Sequence, residues 1–141
     1  MLHVQDLMST NLFTLKESDS LMAAKSLMEL ARIRHIPVVE SGNIFLGIIT
    51  HRDILSSTLS KLADVEKDVQ DEIEAAIPVS EIMRTDVFVV APDASLRDAA
   101  ELLLNHKYGC LPVVEKDRLV GIITEADFLR LTIDLMDALD T

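Results

Sequence analysis

The chain repeats itself, and this limits its possible folds more than any other property of the sequence. Shifted by 75 positions, Val4 falls on Val79, Met8 on Met83, Thr10 on Thr85 and Phe13 on Phe88. The match continues with Ser20-Leu21 on Ser95-Leu96, Ala24 on Ala99, Leu27 on Leu102, and Pro37-Val38-Val39-Glu40 on Pro112-Val113-Val114-Glu115. One extra residue near Gly42 changes the offset to 74, and Gly47-Ile48-Ile49-Thr50-His51-Arg52-Asp53 then meets Gly121-Ile122-Ile123-Thr124-Glu125-Ala126-Asp127. A unit of roughly 50 residues buries too little surface to be secure alone, so two copies are expected to bury a common face. The copies are residues 1–57 and 79–130, with a linker at 58–78 and a tail at 131–141.

Within each copy the apolar period changes in the same order. A short extended stretch is expected at 12–15 and 87–91, then a helix capped by Ser20 or Ser95. Leu21, Ala24, Leu27, Met28 and Ala31 recur at helical spacing in the first copy, as do Leu96, Ala99, Ala100, Leu103 and Leu104 in the second. Two short strands follow, 36–40 with 44–50 and 111–115 with 118–124, turned by Ser41-Gly42-Asn43 and Lys116-Asp117. A second helix opens at Thr50 or Thr124, with Ile54-Leu55 or Phe128-Leu129 on its apolar side.

Between the copies, Leu55, Leu59, Leu62, Val65, Val69, Ile73 and Ile77 recur every three or four residues. Lys61 and Lys67 stand there against Asp64, Glu66, Asp68, Asp71, Glu72 and Glu74, a pattern that predicts an acidic amphipathic helical extension ended by Pro78. In the tail, Leu131, Ile133, Leu135, Met136 and Leu139 lie beside Asp134, Asp137 and Asp140. Either helix suits a partner subunit or the chain's own core.

Thr50-x-x-Asp53 and Thr124-x-x-Asp127 fit the helix capping box, in which hydroxyl and carboxylate satisfy orphan amides. The same atoms suit a ligand: the carboxylate accepts from two neighbouring ribose hydroxyls, and the hydroxyl and first-turn amides face a phosphate. One such motif favours the cap; finding it twice, each time after Gly-Ile-Ile, moves the balance toward a binding cleft. Arg32-Ile33-Arg34-His35-Ile36-Pro37 also stands out in an acidic chain, either as a solvated helix end or, with Arg52, as a phosphate counter-charge. Its counterpart is His106-Lys107-Tyr108-Gly109-Cys110-Leu111-Pro112, and Glu125-Ala126 replace His51-Arg52. The two clefts are therefore chemically unequal.

Other chemistries find little support. His3, His35, His51 and His106 have no paired metal-ligand spacing, and no metal is expected. Four scattered glycines exclude a Gly-rich phosphate loop, and no nucleophile-and-base pattern points to catalysis. The 13 basic and 24 acidic side chains give a formal charge of −11, which opposes binding to a phosphate backbone. Cys110 has no disulfide partner and reads as core filling, and no apolar run is long enough to span a bilayer. A cytoplasmic protein is expected.

The doubled order of Met-x-Thr, Ser-Leu-x-x-Ala, Pro-Val-Val and Gly-Ile-Ile-Thr-x-x-Asp resembles a tandem pair of CBS domains, a Bateman module. The resemblance implies an α/β fold: two CBS repeats, each a small β-sheet with two helices, paired about a pseudo-twofold with two clefts between them. It also implies an adenosine-containing ligand and a homodimer of modules. Asp53 and Asp127 then take the ribose, and Thr50 and Thr124 the phosphate side. Adenine lies against Ile36-Pro37 or Leu111-Pro112, its edge read by backbone of Thr10-Asn11-Leu12 or Thr85-Asp86-Val87. Arg34, His35 and Arg52 balance phosphate charge in the first copy.

The ligand expected from the resemblance is AMP, ADP or ATP, with NAD or S-adenosylmethionine as further members of the class, and no cofactor is required. The chain is similar in size and linker to stand-alone CBS pairs of the acetoin-utilisation accessory type. The expected function is regulatory, with occupancy passed to an unknown effector protein. A ligand-independent interaction scaffold, in which both Thr-x-x-Asp boxes only cap helices, is the alternative. Neither an enzyme, a nucleic-acid partner nor a membrane partner is expected.

Overall fold

The computed structural model describes residues 1–62, 65–107 and 109–140, without the side chains of 58–62. Asp64, Tyr108 and the side chains of Leu59, Lys61 and Leu62, all used in reading the sequence, lie outside the described residues. The chain forms α1 (Leu21–Ala31), β1 (His35–Glu40), β2 (Ile44–Thr50), α2 (His51–Leu62) and α3 (Lys67–Ala76). After these come α4 (Leu96–Asn105), β3 (Cys110–Glu115), β4 (Arg118–Thr124) and α5 (Glu125–Leu139). Short 3-10 turns at Val4–Asp6 and Val79–Glu81 open the two copies. The class is α/β, as the resemblance implies.

The chain folds as two compact units that cut across the sequence copies. A middle unit holds residues 13–87, and a terminal unit joins residues 1–12 to 88–141. The opening of each copy thus completes the unit built by the other. In the terminal unit, the Val4 amide donates to the Ala94 carbonyl at 2.9 Å and the Leu96 amide to the Leu2 carbonyl at 3.0 Å. In the middle unit, the Val79 amide donates to the Asp19 carbonyl and the Leu21 amide to the Ile77 carbonyl, both at 2.8 Å. Val4 and Val79 are fully buried. Each therefore adds its side chain to a core made mainly by the other copy.

The middle core gathers Leu15, Leu21, Ala24, Met28, Ile36, Val38, Ile49, Ile54 and Val79. The terminal core repeats it with Val90, Leu96, Ala99, Leu103, Leu111, Val113, Ile123 and Val4. Both hairpins have the same irregularity: the register slips between Val38 and Val39 opposite Gly47, and between Val113 and Val114 opposite Gly121. Lys116 and Asp117 both have positive φ, 52° and 66°, as a tight two-residue hairpin turn requires. Ser20 and Ser95 cap as expected, accepting from the amides of Ala23 at 3.0 Å and Asp98 at 3.3 Å.

Three expectations change. The extended stretches at 12–15 and 87–91 contract to single parallel bridges, Leu15 beside Val38 and Val90 beside Val113. Pro37 and Pro112 explain this, since each occupies the position whose N–H would carry the ladder toward residue 13 or 88, and proline has none. The acidic extension is helical but in two pieces, with Val65 and Glu66 outside the helices and Glu66 standing as N-cap of α3. Leu104 is 81% exposed and does not join the buried face of α4, which is Leu96, Ala99 and Leu103. Eight residues beyond Leu96, it has rotated off the stripe.

Candidate functional site

Each unit has a place where a buried strand runs directly into a helix, and main-chain bonds fix the surrounding segments there. In the middle unit β2 ends at Thr50, which pairs with His35 at the start of β1. The His51 amide, first in α2, donates to the Arg34 carbonyl at 2.9 Å. A third segment arrives after the Val79–Glu81 turn: the Arg84 amide donates to the Ile48 carbonyl at 2.8 Å, and the Ile48 amide returns a bond to the Arg84 carbonyl at 2.9 Å. Gly47 makes this approach possible, because a Cβ there would be driven into the Arg84 carbonyl oxygen. The bridge is antiparallel, so Thr85-Asp86-Val87 continue past Gly47.

The middle unit contains Arg34, His35, Ile36, Pro37, Thr50, Arg52, Asp53, Thr85, Asp86 and Val87. Arg34, Arg52, Thr85 and Asp86 are exposed, and His35, Thr50, Asp53 and Val87 are half-buried. Ile36 is 0% exposed and belongs to the core. Its side chain is closed to a base, which can meet only backbone at that position. Thr50 Oγ1 accepts from the Asp53 amide at 3.1 Å, so the cap forms. The Asp53 carboxylate is held by Arg84: Nε stands 3.0 and 3.1 Å from its two oxygens, and Nη2 stands 2.8 Å from Oδ1.

The terminal unit repeats the construction with different chemistry. Ser9 and Ile122 exchange amide-to-carbonyl bonds of 2.9 and 3.0 Å, and the Glu125 amide donates to the Gly109 carbonyl at 3.2 Å. Thr10, Asn11, Leu12, Leu111, Pro112, Thr124 and Asp127 belong to this unit. Thr124 and Asp127 form a complete capping box: the Asp127 amide donates to Thr124 Oγ1 at 3.4 Å, and the Thr124 amide donates to Asp127 Oδ2 at 2.8 Å. Arg130, one turn on, donates to the other carboxylate oxygen at 2.6 Å. Asp127 is 6% exposed and Leu111 1%. This carboxylate has partners for both oxygens from its own helix turn.

Sequence reasoning missed the two arginines on these aspartates. Arg130 was legible, because a residue three positions after Asp127 on a helix shares its face. Arg84 was legible only as a difference between copies, since it stands opposite Ser9 at the 75-residue offset. Cys110 lies at the β3 start, 4% exposed, and burial pushes its thiol up to about 12. The thiol stays protonated and suits core filling. Among the described residues no group of three or more His, Cys, Asp or Glu side chains is placed to hold a metal. Among them, too, no helix is long and apolar enough to cross a membrane.

Known proteins share this plan. The CBS domain family model matches residues 4–60 and 79–134. The CBS domain-containing protein YhcV of Bacillus subtilis is 35% identical over 124 residues, spanning 88% of this chain and 81% of YhcV. Several longer curated relatives match in part, and the chain spans 22% to 42% of their length. Among solved structures, the Vibrio cholerae protein described as acetoin utilization protein AcuB is similar with a TM-score of 0.84 and 40% identity, covering 99% of this chain and 96% of AcuB. CBSX2 of Arabidopsis thaliana, solved in complex with AMP, has a TM-score of 0.80 and 27% identity, covering 96% of this chain and 99% of CBSX2.

Proposed function

The chain belongs to the CBS domain family, and we propose that it is a regulatory module that binds an adenosine nucleotide and passes occupancy to an effector protein. One observation carries the reading. In the middle unit, main-chain bonds tie Arg34 and His35 to Thr50 and His51 and tie Arg84 to Ile48, and the Arg84 side chain reaches Asp53 at the same helix start. They supply an aspartate for the ribose, a threonine hydroxyl and exposed arginines for phosphate, and backbone at 85–87 for a base edge. The AMP complex of the similar CBSX2 supports the same chemistry.

AMP, ADP or ATP is the favoured class in the middle unit, where Arg34, His35 and Arg52 supply positive charge. NAD and S-adenosylmethionine share the adenosine half. In the terminal unit Glu125 and the closed Thr124–Asp127 box favour a less charged adenosine compound or a cap alone. The module acts without catalysis, and the exposed Leu129, Ile133 and Met136 on α5 support assembly as a homodimer. Ligand binding couples to shape only by the difference in its affinity for two arrangements. Mass spectrometry of small molecules released from purified, denatured protein tests the reading. Recovery of an adenosine compound supports it, and a melting temperature unmoved by millimolar AMP, ADP, ATP, NAD or S-adenosylmethionine in nucleotide-free protein contradicts it.

A further inference from the structure

We propose that Arg84 is a gate on the Asp53 site, which admits phosphorylated adenosine ligands in preference to the bare nucleoside. The inference rests on the adenosine reading of that site and adds a residue and a selectivity to it. The Arg84 main chain is pinned to Ile48 by the two bonds described above, so its side chain pivots from a fixed point. That side chain reaches the first turn of α2 and takes both oxygens of Asp53 through Nε and Nη2. The Arg84 side chain is 46% exposed and that of Asp53 11%. The arginine therefore covers the acid, and a ligand coming from solvent meets it first.

The chemistry of exchange sets the selectivity. Two ribose hydroxyls need the same carboxylate oxygens that Arg84 now occupies. A neutral nucleoside must displace a charge-assisted fork and returns nothing to the displaced guanidinium. A nucleotide returns an anion, because a guanidinium binds phosphate oxygens with the same two-pronged geometry that it uses for a carboxylate. The terminal unit is built differently, because Arg130 takes only one oxygen of Asp127 and the other accepts from the Thr124 amide. Ser9 stands where Arg84 does, and Asp127 is held from its own helix by Arg130. Arg84 thus adds a selectivity for phosphate to the charge difference that Arg34, His35, Arg52 and Glu125 already set between the units.

Calorimetric titration of adenosine, AMP and ATP into the wild type, Arg84→Ser and Arg84→Lys tests the gate. Arg84→Ser copies the terminal unit and leaves the main-chain bridge available. It is expected to bind adenosine about tenfold more tightly, equivalent to about 1.4 kcal/mol, with ATP binding no tighter. The ATP-to-adenosine affinity ratio accordingly falls at least tenfold. Arg84→Lys, charged but without the fork, falls between. The gain in adenosine affinity disappears in Arg84→Ser/Asp53→Asn. Should Arg84→Ser not fold, Arg84→Gln removes the charge while keeping much of the stem. An unchanged ratio in protein that binds these ligands overturns the gate alone. No binding of any of the three by any variant contradicts the adenosine reading and the gate with it.

Discussion

Asp53 and Asp127 occupy the same place in the repeated motif, yet one carboxylate is covered by a residue 31 positions away and the other by its own helix turn. The repeat made both aspartates legible from sequence. Their partners were not equally so, since Arg84 reaches Asp53 only through the docking of 84–87 on β2. The glycines before them follow the same logic. A Cβ at Gly121 meets the flexible Met8 Sδ at 2.6 Å and the Ser9 carbonyl oxygen at 3.0 Å, whereas at Gly47 it meets backbone head-on. Gly47→Ala should cost about 1–3 kcal/mol in urea unfolding, and Gly121→Ala measurably less. Equal costs would contradict the close-approach account.

Cys110 gives a pH prediction at the same scale. Its folded thiol titrates near 12, against about 9 when unfolded, so the folded state holds a proton that the unfolded state has lost between those values. Stability is unaffected by this group below pH 9 and falls by up to about 1.4 kcal/mol per pH unit above it. Cys110→Ala should flatten that alkaline limb, and native protein should resist thiol alkylation until it unfolds.

At the scale of elements, the hairpins and the strand-to-helix junctions follow from local signals: alternating β-branched runs, turn residues with positive φ, and Thr or Ser caps. What local signals miss is the effect of tertiary contacts. Pro37 and Pro112 read as ordinary strand residues in sequence, but they also limit which edge can accept another strand. The charged linker is a second case. Its periodicity predicts a helix, but Glu74 is 1% exposed, and Lys25 of α1 holds both its oxygens at 2.9 and 3.0 Å, with Gln70 at 3.1 Å. An acid on a supposedly solvated face thus clamps α3 to α1.

The two halves of that pair differ in what their loss exposes. Lys25→Ala leaves a buried carboxylate with little beyond Gln70 and should cost about 3–5 kcal/mol. Glu74→Ala leaves the Lys25 side chain, which is 39% exposed and can turn its ammonium to water, so it should cost less. Chemical denaturation of both variants measures the difference, and the reverse order would contradict the buried clamp.

For the molecule as a whole, the duplication was the strongest signal, and the resemblance carried by its doubled motifs correctly implied an α/β chain of two CBS repeats. The exchange of their opening segments was not legible, because Val4 and Val79 match each other equally well whichever core receives them. The contacts settle it: Val4 belongs to the terminal core and Val79 to the middle one. Val4→Ala should cost about 2 kcal/mol. In hydrogen exchange it should loosen α4, β3 and β4 ahead of α1 and β1, although it lies in the first copy. Loosening of α1 and β1 first would place the segment wrongly.

The central claim is that the helix start at Asp53 holds an adenosine nucleotide. Calorimetric titration of AMP into nucleotide-free wild type and Asp53→Ala tests it most directly. The account predicts binding by the wild type and at least tenfold weaker binding by Asp53→Ala, with a stability loss of no more than about 1 kcal/mol from the part-exposed Arg84 pair, since the Thr50 cap uses the Asp53 amide that alanine keeps. Equal AMP affinity in the two proteins, or no AMP binding by the wild type, would contradict it.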